Sequence, residues 1–377
     1  MKILTIIGAR PQIIKAAALS RTIKNHFAKS IQEIIVHTGQ HYDNNMSQVF
    51  FDELGIPTPD YNLEVGSASH GLQTAQMISG IEEILEKEKP DYIVLYGDTN
   101  STLAGAIAAS KIHIPVVHIE AGLRSFNKSM PEEINRIVCD HVSSLLFTPT
   151  KTGYQNLLNE GFKENKSPFT VDNVGIFHCG DVMYDNSLFF ADVAEDKTSI
   201  LPDLNLLNKA FILATIHRDH NTDNPVRLHA IFEALLEITV EKKIQVVLPL
   251  HPRTKKKMET LPVELSKRIK ANSYIYVIPP VSFLEMIVLE KNAKLIITDS
   301  GGVQKEAYYF HKPCVILRPE TEWVEIIEAG TGILADADKE KIKEAVNQLL
   351  YKNFEFPAIF GDGHVAEFIC QTLIYNV

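Results

Sequence analysis

The chain lacks several features that would classify it quickly. No G-x-G-x-x-G follows its first strand-like segment, which turns instead through Gly8-Ala9-Arg10-Pro11, and no G-x-x-x-x-G-K-[ST] occurs anywhere. The first absence removes the main support for a nicotinamide dinucleotide site, and the second speaks against a P-loop. There is no H-E-x-x-H and no Cys/His cluster at metal spacing, so a tightly held metal is not expected. The four cysteines, Cys139, Cys179, Cys314 and Cys370, lie far apart and none forms a C-x-x-C. They read as buried or incidental thiols in a reducing compartment rather than as a disulfide framework. No stretch approaches the ~20 apolar residues of a membrane helix. The apolar run in the opening MKILTIIGARPQ is too short for a signal peptide, and no small-residue cleavage site follows it. Basic residues are in the minority, Lys+Arg 37 against Asp+Glu 47, for a formal net charge of -10. A polyanion binder shows the opposite balance, so nucleic acid is disfavoured, while a local basic pocket for phosphate stays open. The expectation is a soluble, cytoplasmic protein with no cofactor, no metal, no membrane and no nucleic-acid partner.

What is present is ordinary globular material: 377 residues, 45% hydrophobic and 22% charged. That length exceeds one ordinary core and predicts two domains. Val/Ile/Leu-rich segments alternate with helical ones. Strands are expected at 2–8, 33–38, 91–96, 115–119 and 144–148, with helices at 11–25, 43–54, 71–89, 100–112 and 132–142. A second series has strands at 210–217, 244–251, 273–279, 294–300 and 312–318. Its helices are expected at 224–241, 255–270, 282–292, 302–310 and 338–351, and a last helix covers about 364–375. Continuous apolar strands separated by helices predict parallel sheets covered on both faces, an α/β fold of two doubly wound domains. The segment 163–209 is more polar and reads as the interdomain passage. The expected domains are 1–177 with a returning 364–377, and 178–363.

The reactive residues fall where such sheets bind ligands, at or just past the carboxyl ends of strands. Arg10 ends the first strand, with Lys15 one turn into the following helix. Asp98 and Glu120 end two more, in GDT and HIEAG, and His217 and His251 end strands of the second half. Arg10 reads either as a solvated turn residue or as a phosphate or sugar contact. Asp98 and Glu120 read either as structural carboxylates or as acids exposed to a cleft. Asp299-Ser300-Gly301-Gly302 joins a strand to a helix. It is either a tight turn with Ser300 as N-cap or an anion site, where glycines admit a ligand and the helix N-terminus offers N–H groups. Glu306 follows on that helix, where a carboxylate suits ribose hydroxyls. Glu132 and Glu133 open a helix in PEEINR, and the macrodipole alone would account for them.

Taken together, GARPQIIK at 8–15, GDTN at 97–100, HIEAGLR at 118–124, PEEINR at 131–136, His217-Arg218 and DSGGVQKEA at 299–307 resemble the non-hydrolysing UDP-N-acetylglucosamine 2-epimerases. The motifs run in the family's order over nearly the whole chain. The resemblance implies two Rossmann-like domains facing a cleft, the glycosyltransferase-B arrangement, with a C-terminal helix returning to the first domain. It also implies an isomerase that inverts C2 of a UDP-linked 2-acetamido sugar, supplies cell-surface polysaccharide precursors and works as a homodimer. The family's catalytic acids fall on Asp98, Glu120 and Glu132, and its histidine on His217. Its nucleotide contacts fall on Arg10, Ser300, Gly301, Gly302 and Glu306, with Lys15 and Arg136 lining the cleft and His251 near the nucleotide.

Two stretches depart from the family pattern. Gly71-Leu72-Gln73 stands where relatives carry Asp-Arg-Gln, whose Arg helps hold a regulatory UDP-N-acetylglucosamine. Thr321-Glu322-Trp323-Val324-Glu325 replaces Thr-Glu-Arg-Pro-Glu. Arg124-Ser125-Phe126-Asn127 and LPLHPR at 248–253 look closer to the branch acting on UDP-2,3-diacetamido-2,3-dideoxyglucuronate. UDP-N-acetylglucosamine is the expected substrate, with that acidic sugar as the alternative. A hydrolysing 2-epimerase, a transferase of the same fold and a non-catalytic nucleotide-sugar binder are the competing readings.

Overall fold

The computed structural model describes residues 1–39, 57–250 and 252–376. The helix expected at 43–54 and His251 lie outside the described residues. The chain divides into two compact units, Met1–Asn186 with Ala358–Val377, and Ser187–Pro357.

The first unit is built on seven parallel strands: β1 (Lys2–Ile7), β2 (Gln32–His37), β3 (Tyr61–Asn62), β4 (Tyr92–Tyr96), β5 (Val116–Ile119), β6 (Leu145–Thr148) and β7 (Gly175–His178). Their order is β3-β2-β1-β4-β5-β6-β7. Both faces of β4 are buried, which is why its sequence, YIVLY, shows no polar alternation. Leu4, Ile6, Ile93 and Leu95 form one core with Met77 and Ile81 of the His70–Glu88 helix and Ala104 and Ala108 of the Asn100–Lys111 helix. The alanines and Gly105 let that helix lie close. A methyl on Gly105 would meet Leu95 at 2.6 Å.

The second unit repeats the plan with β8 (Phe211–Thr215), β9 (Gln245–Pro249), β10 (Ile275–Ile278), β11 (Leu295–Thr298), β12 (Cys314–Ile316) and β13 (Gly332–Leu334). Their order is β10-β9-β8-β11-β12-β13, and every pairing is parallel. Its core joins Ile212, Val246 and Leu248 to Phe232 and Leu235 of the Pro225–Lys242 helix and to Ile342 and Val346 of the Lys339–Leu349 helix. In each sheet the order reverses beside the first strand, between β1 and β4 and between β8 and β11. A crevice opens at such a switch point because the two connections leave for opposite faces.

Several expectations differ in detail. The polar stretch 163–209 holds β7 and a long helix, Val182–Lys197, which runs through the division between the units. Its polarity misled because the strand is four residues long and sits at the sheet edge. The helix expected at 255–270 is broken into Pro252–Met258 and Val263–Ala271, with Pro262 as the second N-cap. Strands end earlier than their apolar runs: β8 stops at Thr215 and β11 at Thr298, which leaves His217 and Ser300 on loops. The Lys151–Asn159 helix, β3 and β13 carried too little pattern to be read. No helix among the described residues is long and apolar enough to cross a membrane.

The closing helix, Val365–Asn376, belongs to the first unit. Asp185 anchors it: the Ala366 N–H donates to Asp185 Oδ2 at 2.8 Å. Nearby, Asn186 Nδ2 donates to the Ile14 carbonyl at 2.5 Å. Burial pushes the Asp185 carboxyl up to about 6, against the opposing pull of the Ala366 and Val365 N–H groups. Its folded value therefore lies above its unfolded one. The stability it lends is complete below the ordinary carboxylate range and is lost as pH rises through about 6. Asp185→Asn keeps an acceptor without the charge. Its melting temperature relative to wild type is expected to rise between pH 4.5 and pH 7.5, by an amount on the order of 2 kcal/mol of stability. The check is thermal unfolding of both proteins across that range, and a constant difference overturns the assignment.

Candidate active site

The turn after β1 is fixed by packing before any ligand is considered. A methyl on Gly8 would meet Ser101 Oγ at 2.2 Å and Thr38 Oγ1 at 2.3 Å, so only glycine fits there. Gln12 is buried and reaches across the switch point. Its Oε1 accepts from the N–H groups of Gly8 at 3.0 Å and Ala9 at 3.2 Å, and its Nε2 donates to the Tyr96 carbonyl at 3.0 Å. The end of β1 is thereby tied to the end of β4. Arg10 opens the Arg10–Thr22 helix, and Lys15 lies further along it.

Beyond β4, Gly97 turns with φ +61, and Asp98 follows, partly exposed. Arg136 Nη2 contacts Asp98 Oδ2 at 2.5 Å, and Asn135 Nδ2 donates to the Asp98 carbonyl at 2.8 Å. Beyond β5, Glu120 is held in the left-handed region at φ +73, a costly conformation for a non-glycine residue. Its carboxylate is paired with Lys15, and both side chains are mostly buried. Gly97 borders this pair: an added methyl would stand 3.2 Å from both Glu120 Oε2 and Lys15 Nζ. The first unit thus brings Lys15, Asp98, Glu120 and Arg136 to the ends of three adjacent strands.

The two neighbouring glutamates of PEEINR have different surroundings. Glu133 is buried, accepts from the Ser125 N–H and Oγ and from the Phe126 N–H, and contacts Arg136 at 2.8 Å. Burial works against its charge, but those donors outweigh it and hold the carboxyl below the usual range. Glu132 is exposed in the first turn of the Pro131–Val142 helix.

One buried group was missed by sequence reasoning. His118 was read only as part of a motif, yet it is fully buried on β5 and bonded at both ring nitrogens. Nε2 faces the Gly97 carbonyl at 2.7 Å, and Nδ1 faces Asp140 Oδ1 at 2.6 Å. Asp140 also accepts from the Gly122 N–H at 3.1 Å and pairs with Arg124 at 2.7 Å. A carbonyl and a carboxylate can only accept, so the ring donates twice and carries the charge. Burial opposes that charge, but Cys139 and the Asp140 carboxylate outweigh it and push His118 well up, while the same contact holds Asp140 down. The readable signal was a histidine inside an otherwise apolar strand, which needs a partner if buried.

In the second unit, Asp299 is fully buried and serves as a clamp. It accepts from the His217 N–H at 2.9 Å, the Arg218 N–H at 3.1 Å and Asn221 Nδ2 at 3.0 Å, tying the end of β11 to the end of β8. His217 is thereby placed, exposed, just past β8. Ser300 caps the Gly301–Tyr309 helix, accepting from the Val303 N–H at 3.4 Å. Gly302 is exposed and Glu306 half-buried on that helix. Gly301 is tightly covered: an added methyl would meet Glu322 Oε1 at 2.2 Å. Glu322 pairs with Arg318 at 2.8 Å, and Lys305 lies 4.4 Å from the Trp323 ring centroid. Arg253, beside His251 in sequence, bridges Asp219 and Asp223. Among the described residues no three His, Cys, Asp or Glu side chains gather as a metal site requires.

Residues 24–374 match the family model described as UDP-N-acetylglucosamine 2-epimerase. A UDP-N-acetylglucosamine 2-epimerase homolog of Methanococcus maripaludis is 50% identical over 374 residues, covering 99% of each chain. The UDP-2,3-diacetamido-2,3-dideoxy-D-glucuronate 2-epimerase of Pseudomonas aeruginosa is 49% identical, with the same 99% coverage of each. Among solved structures, the Methanocaldococcus jannaschii UDP-GlcNAc 2-epimerase in complex with UDP-GlcNAc and UDP shares 44% identity. It covers 100% of both chains, with a TM-score of 0.81.

The His118–Asp140 contact makes a direct thermodynamic prediction. Removing either partner leaves the other buried without compensation, so His118→Ala and Asp140→Ala are each expected to cost about 3–5 kcal/mol in urea unfolding. The double variant should lose clearly less than the sum, because the penalty is shared. Strict additivity overturns the pairing.

Proposed function

This chain belongs to the UDP-N-acetylglucosamine 2-epimerase family, and we propose that it converts UDP-N-acetylglucosamine to UDP-N-acetylmannosamine by eliminating and re-adding UDP. It is an isomerase. We place it in the cytoplasm as a homodimer that supplies precursors of cell-surface polysaccharides.

The observation that carries this reading is the pair of carboxylates, Asp98 and Glu120, at the ends of neighbouring strands β4 and β5, each against a cation. The C2 hydrogen of a 2-acetamido sugar adjoins no carbonyl and is not acidic. Transient oxidation would need a nicotinamide cofactor, whose fingerprint is missing from the sequence. Elimination needs only acid–base groups and stabilisation of the departing diphosphate. A carboxylate takes the C2 proton as the C1–O bond breaks. The C–H electrons form the C1=C2 double bond, and UDP leaves with the C1–O pair. Proton delivery to C2 from the other face, with return of a UDP oxygen to C1, gives the epimer.

We assign the proton transfers to Asp98, Glu120 and Glu132. Lys15 pairs with Glu120 and Arg136 with Asp98, and these contacts aim the two carboxylates. UDP contacts are assigned to Arg10, His217 and the helix N-terminus at Ser300, Gly301 and Gly302. Glu306 takes the ribose hydroxyls, and His251 stands near the nucleotide. Lone N–H groups at a helix start favour an anion over any neutral ligand.

The test is solvent exchange. Purified protein without added NAD or metal is expected to place solvent deuterium at C2, and a transferase or a simple binder would not. Asp98→Asn, Glu120→Gln and His217→Ala should each lower kcat by about 10²-fold or more, while the carboxamide variants keep most substrate affinity. Ser300→Ala should weaken nucleotide binding more than turnover. A requirement for NAD removes the mechanism, and normal turnover in the Asp98, Glu120 or His217 variant removes that residue.

The 49% identity to the Pseudomonas aeruginosa enzyme favours a second reading, in which the sugar is a diacetamido-glucuronate. Trp323-Val324 is compatible with it. Leu72 is 56% exposed at the first turn of the His70–Glu88 helix. It offers no charge to the diphosphate of a regulatory UDP-N-acetylglucosamine. Kinetics on each sugar alone are therefore expected to be hyperbolic, with no need for UDP-N-acetylglucosamine as an activator. Sigmoidal rates on UDP-N-acetylglucosamine overturn the regulatory claim, and relative turnover on the two sugars decides the substrate.

A further inference from the structure

Phe126 stands in the loop between β5 and the Pro131–Val142 helix, midway in sequence between Glu120 and Glu132. It is 80% exposed. A single exposed aromatic is ordinary by itself. Its backbone is not: φ is +56, in the left-handed region, where a bulky side chain is strained and glycine is at ease. The other non-glycine residues held there, among the described residues, are Asn, Asp, Glu, His and Lys, so Phe126 is the one apolar member. The loop does not need its ring. Ahead of it, Arg124 is buried against Asp140 at 2.7 Å and Glu160 at 2.6 Å. The Phe126 N–H donates to Glu133 Oε1 at 2.9 Å, and the Ser125 N–H to Glu133 Oε2 at 2.8 Å. After it, Asn127 Oδ1 accepts from the Ser129 N–H at 3.1 Å, and the Asn127 carbonyl from the Met130 N–H at 3.0 Å.

Each of these contacts is made by backbone or by a neighbour's side chain, so F126G would keep them all and lose the strain. Burial does not repay the strain either, since the ring faces water. Strain without a return in folding points to a return in function. The same bonds tie the residue to the strand-end cluster. Glu133 Oε2 also contacts Arg136 Nη1 at 2.8 Å, and Arg136 Nη2 contacts Asp98 Oδ2 at 2.5 Å. One carboxylate and one guanidinium therefore lie between the Phe126 N–H and Asp98. An aromatic on a loop pinned at both sides has little ordering left to lose on binding.

We propose that Phe126 is a substrate-binding residue: its ring covers the acetamido methyl of the UDP-linked sugar and so selects N-acetylated sugars. This rests on the reading of Asp98 as an acid–base group at C2 and adds a specificity contact to it. C2 carries the acetamido group, so the methyl lies a few bonds from the carbon on which Asp98 works. It is the most apolar group that such a sugar offers, and covering it with an aromatic ring removes apolar surface from water.

Calorimetric titration of the full chain with UDP, with UDP-N-acetylglucosamine and with UDP-glucose, which has a hydroxyl in place of the acetamido group, tests this. F126A should bind UDP-N-acetylglucosamine about 5- to 10-fold more weakly, and UDP and UDP-glucose as the wild type does. F126Y, which keeps the ring, should stay within about twofold of the wild type on all three. F126G should bind as F126A does and melt about 2 °C above it, because only the backbone strain differs between them. Wild-type affinity for UDP-N-acetylglucosamine in F126A, or equal losses for that sugar and UDP-glucose, overturns the proposal and leaves the UDP site standing. F126G melting no higher than F126A overturns the argument from strain. A change of oligomeric state in sedimentation of F126A, with all three affinities kept, gives the ring to a second copy of the chain and overturns the proposal as well. A wild type that binds no UDP, or normal turnover in D98N, overturns instead the reading beneath it.

Discussion

The buried contact between His118 and Asp140 is the constraint on which the strand-end cluster of the first unit depends. Through it four pieces of chain share one charge pair: the end of β4 by the Gly97 carbonyl, the body of β5, the turn at Gly122 and the Pro131–Val142 helix. Asp98 and Glu120 each lie within two residues of a group in that network. Their separation is therefore set by a core interaction rather than by loops. The second unit uses the same device in another form. Asp299 spends both oxygens on the His217 and Arg218 N–H groups and on Asn221, and so fixes the exposed histidine by its backbone. An acid engaged in this way has no oxygen left for proton transfer, although its sequence position resembles that of Asp98.

Much of this was legible in the chain because strand ends are legible. A continuous apolar run that stops at an acid, a histidine or a glycine pair marks a carboxyl edge, and parallel topology sends every such edge to one side of its sheet. Asp98, Glu120, His217 and Ser300 were all found by that rule. What remained hidden was how each residue is held. Nothing in PEEINR separates Glu132 from Glu133; only the fold turns one to water and the other onto the Ser125–Phe126 backbone. Gln12, His118 and Asp140 were equally silent, because a buried polar residue is defined by partners distant in sequence. Short edge strands such as β7 were lost for another reason: four residues cannot establish a period.

Charge is arranged with the same economy. Carboxylates in the proposed acid–base role would repel a diphosphate unless they are partnered. Lys15 answers Glu120. Arg136 is shared between Asp98 and Glu133, two carboxylates on one cation. The sharing is tolerable because Glu133 takes most of its compensation elsewhere, from two backbone N–H groups and a hydroxyl. One arm of Arg136 is thereby left to Asp98. Substituting Lys for Arg136 would keep the charge and lose the fork, since a point charge cannot serve two acids on fixed bearings.

The departure from the family pattern at Leu72 is placed so that this frame does not feel it. Leu72 and Gln73 are neighbours on one helix, and helical geometry turns them about 100° apart. Gln73 faces inward, where it accepts from Asn100 Nδ2 at 2.9 Å and donates to the Gly66 carbonyl at 3.1 Å. Asn100 in turn faces Asn135, which holds the Asp98 carbonyl. Leu72 faces outward and touches none of this chain of contacts. A change at position 72 can therefore alter what the helix offers a second ligand while leaving Asp98 where it was. At Trp323 the case differs, because that ring lies over Lys305 on the helix that also carries Ser300 and Glu306. Substitution there reaches the proposed nucleotide-binding surface directly. On the proposed reading, regulation and sugar preference would vary through separate contacts, one detached from the proposed catalytic frame and one built onto the proposed UDP-binding helix.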